Sequence, residues 1–214
     1  MPLLPASARR ETRWKNGGGS TAEIAVSPEG AGLDDFDWRV SMARVEGDGP
    51  FSAFAGVDRV LTVVEGVLVL EVVGAAPVTL DAASAPHAFP GDVPTFGRLV
   101  DGPVVDLNVM TRRERFSARV RRAELRAPLA FRSKCGDWLL ILLEGAADVF
   151  GVEGHGPMSA GDAWRVRDAR VRAVVPKPSA RVLMVEFSAA AFLTTRALAA
   201  DRDAMQKEGG AENK

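Results

Sequence analysis

The chain has 214 residues, 47% of them hydrophobic, and 27 Lys and Arg stand against 28 Asp and Glu for a formal charge of -1. That length supports one large core or two small ones, and the balanced charge leaves no electrostatic footprint for nucleic acid or an anionic membrane. A single cysteine, Cys135, excludes an internal disulfide framework and fits a reducing compartment. With neither a signal-peptide apolar core nor a run of roughly 18–20 apolar residues, the sequence points to a soluble, cytoplasmic protein.

The first distinctive stretch is "WKNGGGSTAEIA", residues 14–25. Gly17-x-Gly19-x-x-Ala22 matches the dinucleotide fingerprint literally, but that motif needs a buried strand before it and a helix after it. Here the charged "SARRETRWKN" precedes, and a short β-branched run ended by Pro28 follows. The stretch therefore reads as a glycine turn entering a strand.

Strands are expected next at 37–46, 58–66, 67–73 and 103–112, each β-branched and bounded by Gly, Pro or Asp. The series resumes at 137–145 and continues through "ADVFGV", "DAWRVRDARVRAVV" and 180–187. Helix is expected only near 80–84 and at 189–206, and the basic stretch 112–126 reads as a solvated connector. Cys135 has no histidine beside it and reads as a structural thiol rather than a nucleophile.

The two halves repeat. "LTVVEGVLVLEV" aligns with "LLILLEGAADVF", which puts Glu65-Gly66 and Glu144-Gly145 at corresponding tight turns. Gly91-Asp92 and Gly161-Asp162 are expected at corresponding strand starts, and "DLNVMTR" and "VLMVEFS" close the two units. Such a repeat of short strands predicts two small β-barrels or sandwiches in tandem.

With these turns in place the chain resembles the cupin superfamily. More narrowly, through "WKNGGGSTAEIA", "FDWRVSMARVEGDGPFSAFAGVDRVLTVVEG" and "GDVPTFGRLVDGPVVDLNVMTRR", it resembles the HutD/Ves family of bacterial two-cupin proteins. The resemblance covers most of residues 14–113 and implies an all-β bicupin: two tandem jelly-roll-type barrels with few short helices. The expected boundaries are 1–113 for the first barrel, 114–190 for the second and 191–214 for a short helical tail. It also implies an association with histidine-utilisation genes or stress response and the binding of a small pathway acid. Catalysis is not implied.

Cupin enzymes usually hold a metal with three His and one Glu. This chain has two histidines, His87 and His155, read as loop residues in different halves, so no metal and no cofactor is expected. On the strand 103–112, Val105, Leu107 and Val109 share one face and Asp106, Asn108 and Met110 the other. On the strand 37–46, Trp38, Val40 and Met42 oppose Arg39, Ser41 and Ala43. Which face lies inside is open from the sequence. Arg59 carries a planar fork suited to a carboxylate, or else pairs structurally with Asp58, Asp101 or Asp106. Glu23, Glu65, Asp92 and Asp106 are the available acid/base groups.

The expectation is a non-catalytic protein that binds a small carboxylate-bearing metabolite in the N-terminal half, in a regulatory or buffering role. Its ligand-binding residues would be Arg59, Asn108, Asn16, Gly17, Gly18, Arg39, Ser41 and Asp106. No nucleic acid or membrane partner is expected, and a homodimer is left open. Two alternatives stand beside it: a metal-independent isomerase or lyase using the same pocket, and an interaction protein with a vestigial pocket.

Overall fold

A computed structural model describes residues 3–131, 137–151, 154–166 and 172–190. Among the described residues, apart from one 3-10 turn at Ala6–Ala8, the regular elements are all strands. In the first half these are β1 (Leu3–Leu4), β2 (Glu11–Arg13), β3 (Gly19–Ser27), β4 (Trp38–Val45), β5 (Gly49–Pro50), β6 (Val57–Glu65), β7 (Leu68–Val72), β8 (Val78–Leu80), β9 (His87–Pro90), β10 (Thr95–Leu99) and β11 (Val104–Arg112). The second half adds β12 (Phe116–Leu125), β13 (Leu129–Phe131), β14 (Asp137–Gly151), β15 (Gly154–Ser159), β16 (Ala163–Val166) and β17 (Arg172–Ala189). No helix among the described residues is long and apolar enough to cross a membrane.

The strands pair into three open sheets rather than closed barrels. One runs β2-β3-β4-β11-β6-β9, a second β5-β10-β7-β8, and the third is built on β1-β16-β14-β17-β12 with β13 and β15 attached. The first two face each other over an apolar cluster of Val45, Leu61, Val63, Leu68, Leu70, Val72, Leu80, Phe89 and Val104. The other face of the six-stranded sheet packs on the third sheet. Ile24, Trp38, Val40, Leu107 and Val109 meet Leu139, Ile141, Leu183, Val185 and Phe187 there. Trp38 stacks on Phe187 at 4.0 Å between centroids.

Arg165 locks this interface. Its guanidinium lies 4.4 Å over the Trp38 ring, donates to both oxygens of Asp137, and reaches the Val26 carbonyl at 3.5 Å. The N-terminal arm reinforces the contact: β1 adds to β16, the Ala6 N–H donates to Asp162 Oδ1 at 2.8 Å, and Arg9 Nη2 donates to the Gly161 carbonyl at 2.6 Å.

The repeat is visible in the pairing. β4-β11-β6-β9 and β5-β10-β7-β8 in the first half correspond to β12-β17-β14-β16 and β13-β17-β14-β15 in the second. Two strands of the first half become one long bent strand in the second. β14 carries the Glu144-Gly145 pair as an irregularity between Leu142 and Ala147, not as a turn between strands. Glu65-Gly66 does form a tight turn between β6 and β7. Both glycines have positive φ, and a Cβ would strike a neighbouring carbonyl, Pro103 O at 2.7 Å for Gly66 and Ser179 O at 2.5 Å for Gly145. Close backbone approach therefore requires glycine in both halves.

Four other expectations need correction. Gly91-Asp92 follows β9 whereas Gly161-Asp162 precedes β16, so these dipeptides do not correspond. In place of the helix expected near 80–84, Leu80 ends β8 and residues 81–84 form a turn, with Asp81 Oδ1 accepting from the N–H groups of Ala83 and Ser84. The basic stretch is a strand, β12, whose Phe116, Ala118 and Val120 pack into the interface while Arg119 and Arg121 face outward; Arg122 instead donates to the carbonyls of Ser84 and Val63 in the first half. His87 and His155 lie in β9 and β15 rather than in loops. The helix expected at 189–206 lies almost wholly outside the described residues, as does Cys135.

Candidate functional site

Register decides the question that alternation left open. Leu107 and Val109 of β11, with Trp38 and Val40 of β4, face the second half, so Asp106, Asn108, Ser41 and Arg39 face the interior of the first. β6 flanks β11 on the other side, with Arg59 opposite Met110 and Leu61 opposite Asn108. Polar side chains thus interrupt an apolar interior between the large cluster and a smaller one of Val26, Phe36, Val57 and Met110.

Arg59 is only 5% exposed. Its Nε donates to Asn108 Oδ1 at 3.4 Å and its Nη1 to the Ser52 carbonyl at 3.3 Å, both long contacts. A guanidinium has five N–H donors, so three have no acceptor among the described residues. Three phenyl rings enclose the head group, Phe51 at 5.0 Å, Phe89 at 5.2 Å and Phe54 at 6.0 Å. Such rings stabilise a cation by their faces but leave its in-plane N–H edge free. Burial lowers the Arg59 pKa to about 10 even though Asp106 opposes the shift.

Asp106 is the second buried charge, 2% exposed, and its carboxyl makes no hydrogen bond or ion pair among the described residues. Desolvation raises its pKa to about 7, against the pull of Arg59. Nearby, Arg39 donates from Nε to Glu23 Oε2 at 2.8 Å and from Nη1 to Ser41 Oγ at 3.4 Å. Arg59, Asn108, Asp106, Ser41 and Arg39 therefore share one interior face. Of the aspartates weighed as partners for Arg59, Asp58 accepts from Arg113 instead, at 2.8 Å.

The glycine loop lies elsewhere. Gly19 pairs with Val45, and Val45 with Val104, whereas Arg59 is level with Met110. Six residues of β11 separate the two levels, roughly 20 Å at ~3.3 Å per residue. Asn16 and Gly17 are exposed, and Asn16 Oδ1 accepts from the Gly18 N–H at 3.1 Å, closing the turn. A Cβ on Gly19 would sit 2.3 Å from the Arg44 carbonyl, so the loop's glycine serves strand packing.

Sequence reasoning missed the rings around Arg59 and the loops that carry them. The one available signal was the triplet of phenylalanines in "PFSAF" and "HAFP", which alternation alone does not aim. It also missed Arg112, which donates to the carbonyls of Phe36, Ala55, Leu33 and Asp34 and so ties residues 33–36 and 51–56 together near the site.

The donor set does not suit a transition metal. The Asp106 carboxyl, the Asn108 carboxamide and the Ser41 hydroxyl face the interior beside two guanidinium groups, one of them holding the Glu23 carboxylate, and His87 is the lone imidazole near them. Among the described residues, no three His, Cys, Asp or Glu side chains gather into a candidate metal site.

Among the described residues of the second half, the positions corresponding to Arg59, Asp106, Asn108 and His87 carry no charged group. Glu65 lies opposite Val105 and Glu144 opposite Arg181. Counting from these pairs, Trp138 stands for Arg59, Val182 for Asp106 and Met184 for Asn108. Trp164 likewise stands for His87, from the pairs Leu61 with His87 and Leu140 with Trp164. Two clefts lie away from Arg59: one of about 230 Å³ between the halves at Val64, Arg122 and Glu144, and one of about 300 Å³ under the N-terminal arm at Leu4, Arg9 and Ile24.

A HutD family model matches residues 6–183. The chain is 44% identical over 113 residues to Protein Ves of Citrobacter koseri, covering 52% of this chain and 58% of the relative. It is 37% identical over 120 residues to an uncharacterized 21.2 kDa protein in the hutC 3' region of Pseudomonas putida, covering 56% and 63%. The matched part thus spans about six tenths of the length of these curated relatives. Among solved structures, HutD from Pseudomonas fluorescens SBW25, in a formate condition, superposes with a TM-score of 0.74 at 32% identity over 88% of this chain and 98% of that one. A conserved protein of unknown function from Pseudomonas aeruginosa PAO1 gives 0.79 at 31% identity, over 87% and 98%. A cupin 2 conserved barrel domain protein from Leptotrichia buccalis, 9% identical over 78% of this chain and 88% of that one, gives a TM-score of 0.55 and supports a cupin-like fold alone.

Proposed function

The chain belongs to the HutD family, and we propose that it is a non-catalytic bicupin that binds a small carboxylate-bearing metabolite inside its N-terminal half. The observation that carries this reading is Arg59. A guanidinium buried among three phenyl rings, with three N–H donors lacking acceptors, is costly to desolvate unless an anion completes its hydrogen bonds. Asn108, Ser41 and Arg39 supply further polar contacts, and Asp106 the acidic one. The glycine loop of Asn16, Gly17 and Gly18 supports the sheet rather than the ligand in this reading. The second half, with Trp138, Val182 and Met184 at the corresponding positions, contributes a packed core.

The gene setting named for the P. putida relative, and the name of the P. fluorescens structure, favour a histidine-degradation intermediate as ligand. A protein that binds such a compound without consuming it serves a regulatory or buffering role. A metal-independent isomerase or lyase is the second reading, favoured by Asp106, whose pKa near neutrality suits proton transfer.

A thermal-shift screen against histidine-degradation intermediates, with formate and acetate as reference carboxylates, tests the proposal. A binder at 100 times its dissociation constant adds about 2.7 kcal/mol of stability. Saturable stabilisation without consumption supports the binding protein, and turnover supports the enzyme. No shift with any carboxylate removes both.

A further inference from the structure

The interior of the first half holds one fixed cation and one carboxyl that do not touch. Arg59 spends two donors on Asn108 and the Ser52 carbonyl, while Asp106, one strand away, makes no hydrogen bond or ion pair among the described residues. The remaining charges around Asp106 are few. From β4 comes Arg39, already paired with Glu23 of β3 at 2.8 Å, and from β9 comes His87 on the face that carries Phe89. β6 contributes Arg59 beside the apolar Leu61 and Val63, and the opposite sheet contributes only Leu68, Leu70, Val72 and Thr95 with their uncharged neighbours.

Counted as formal charges, this interior is neutral when Asp106 is ionised: Arg59 against Asp106, and Arg39 against Glu23. A bound carboxylate leaves it with one uncompensated negative charge, held away from water. In a low-dielectric interior an uncompensated charge is strongly disfavoured, and the simplest remedy is to neutralise the carboxyl that lacks partners. A protonated Asp106 gains an O–H donor, which the ligand's carboxylate can accept.

Resting on the carboxylate site proposed above, we infer that this interior takes up a singly charged carboxylate together with one proton, and that Asp106 carries the proton. The balance is ligand anion plus one proton from solvent plus protein, giving a complex with no net change of charge inside. Asp106 is thus a specificity group for anions: it hydrogen-bonds the ligand only in its neutral form and repels it when ionised. Its pKa near 7 makes the uptake measurable at ordinary pH.

The test is a titration with sodium formate, which stays ionised throughout, between pH 6 and 8.5. If only the protonated form binds, affinity falls about thirtyfold over that range, from a titration midpoint of about 7. Calorimetry at pH 8 in phosphate and in Tris buffers should show uptake of about 0.9 proton per formate bound, a readout on the parent protein that needs no variant. Asp106→Asn should bind with nearly pH-independent affinity, and His87→Gln should keep the parent's pH dependence. Formate binding with a flat pH profile and no proton uptake overturns the inference while leaving the carboxylate site standing. A pH dependence lost in His87→Gln but kept in Asp106→Asn overturns it too. Absence of formate binding at every pH overturns the inference and the site together.

Discussion

Replacing Asp106 by Asn should remove the loss of stability that this carboxyl causes as pH rises from about 4 to about 7. In the folded chain, burial raises this carboxyl from its ordinary 3.8 to about 7. Between those values the native state holds a proton that the unfolded state has released. Stability from this group is therefore complete below about pH 4 and is lost as pH rises to about 7, after which it is flat. At ~1.4 kcal/mol per pH unit, the interval from 3.8 to about 7 amounts to about 4 kcal/mol. Asn has nearly the same volume and cannot ionise. The difference in stability between variant and parent should thus move in the variant's favour by up to about 4 kcal/mol from pH 4 to pH 8, whatever its absolute level at either pH. For a chain of this size each kcal/mol shifts the melting temperature by roughly 2–4 °C. Thermal unfolding of both proteins at pH 4.5, 6 and 8 checks this. Parallel pH profiles would show that Asp106 is not buried as an isolated carboxyl, and would refute the electrostatic reasoning for the site.

Arg165→Ala should destabilise the chain by roughly 2–4 kcal/mol, because it removes the bidentate partner of Asp137 and the cation stacked on Trp38; urea unfolding measures it. Gly19→Ala should cost ~1–3 kcal/mol or force the β3–β4 ladder to shift, since its Cβ would stand 2.3 Å from the Arg44 carbonyl. Arg112→Ala should release the carbonyls of Leu33, Asp34, Phe36 and Ala55, seen as faster amide exchange confined to residues 33–36 and 51–56.

Much of the β architecture could be read from the sequence because strand signals here are local. "WRVSMARV" and "VVDLNVMTR" alternate cleanly, and Glu-Gly at 65–66 marks a turn by its own chemistry. What failed was non-local. The second Glu-Gly pair looks identical in sequence, yet β14 runs on through it because β17 bends alongside, with Ser179 facing Gly145. The arginines at 119, 121 and 122 made β12 look like a solvated connector. Its small apolar positions, Ala118 and Val120, suffice to bury one face against the interface. At the site, alternation grouped Asp106 with Asn108 and Arg39 with Ser41, but the inward face became definable only when the second half was seen to cover the opposite one. The glycine loop was drawn toward the ligand by composition, and strand register puts it at the other end of the sheet from Arg59.

In the proposed reading, Arg59 anchors a ligand carboxylate. The most direct test is calorimetry on the parent, Arg59→Lys and Arg59→Ala, using the strongest binder of the carboxylate screen. A partly desolvated guanidinium holding a carboxylate contributes ~1.5–3 kcal/mol. Arg59→Ala should therefore weaken binding by about 10- to 150-fold, and Arg59→Lys, which keeps the charge but not the fork, should weaken it less. An unchanged dissociation constant in a folded Arg59→Ala protein would remove Arg59 from the site.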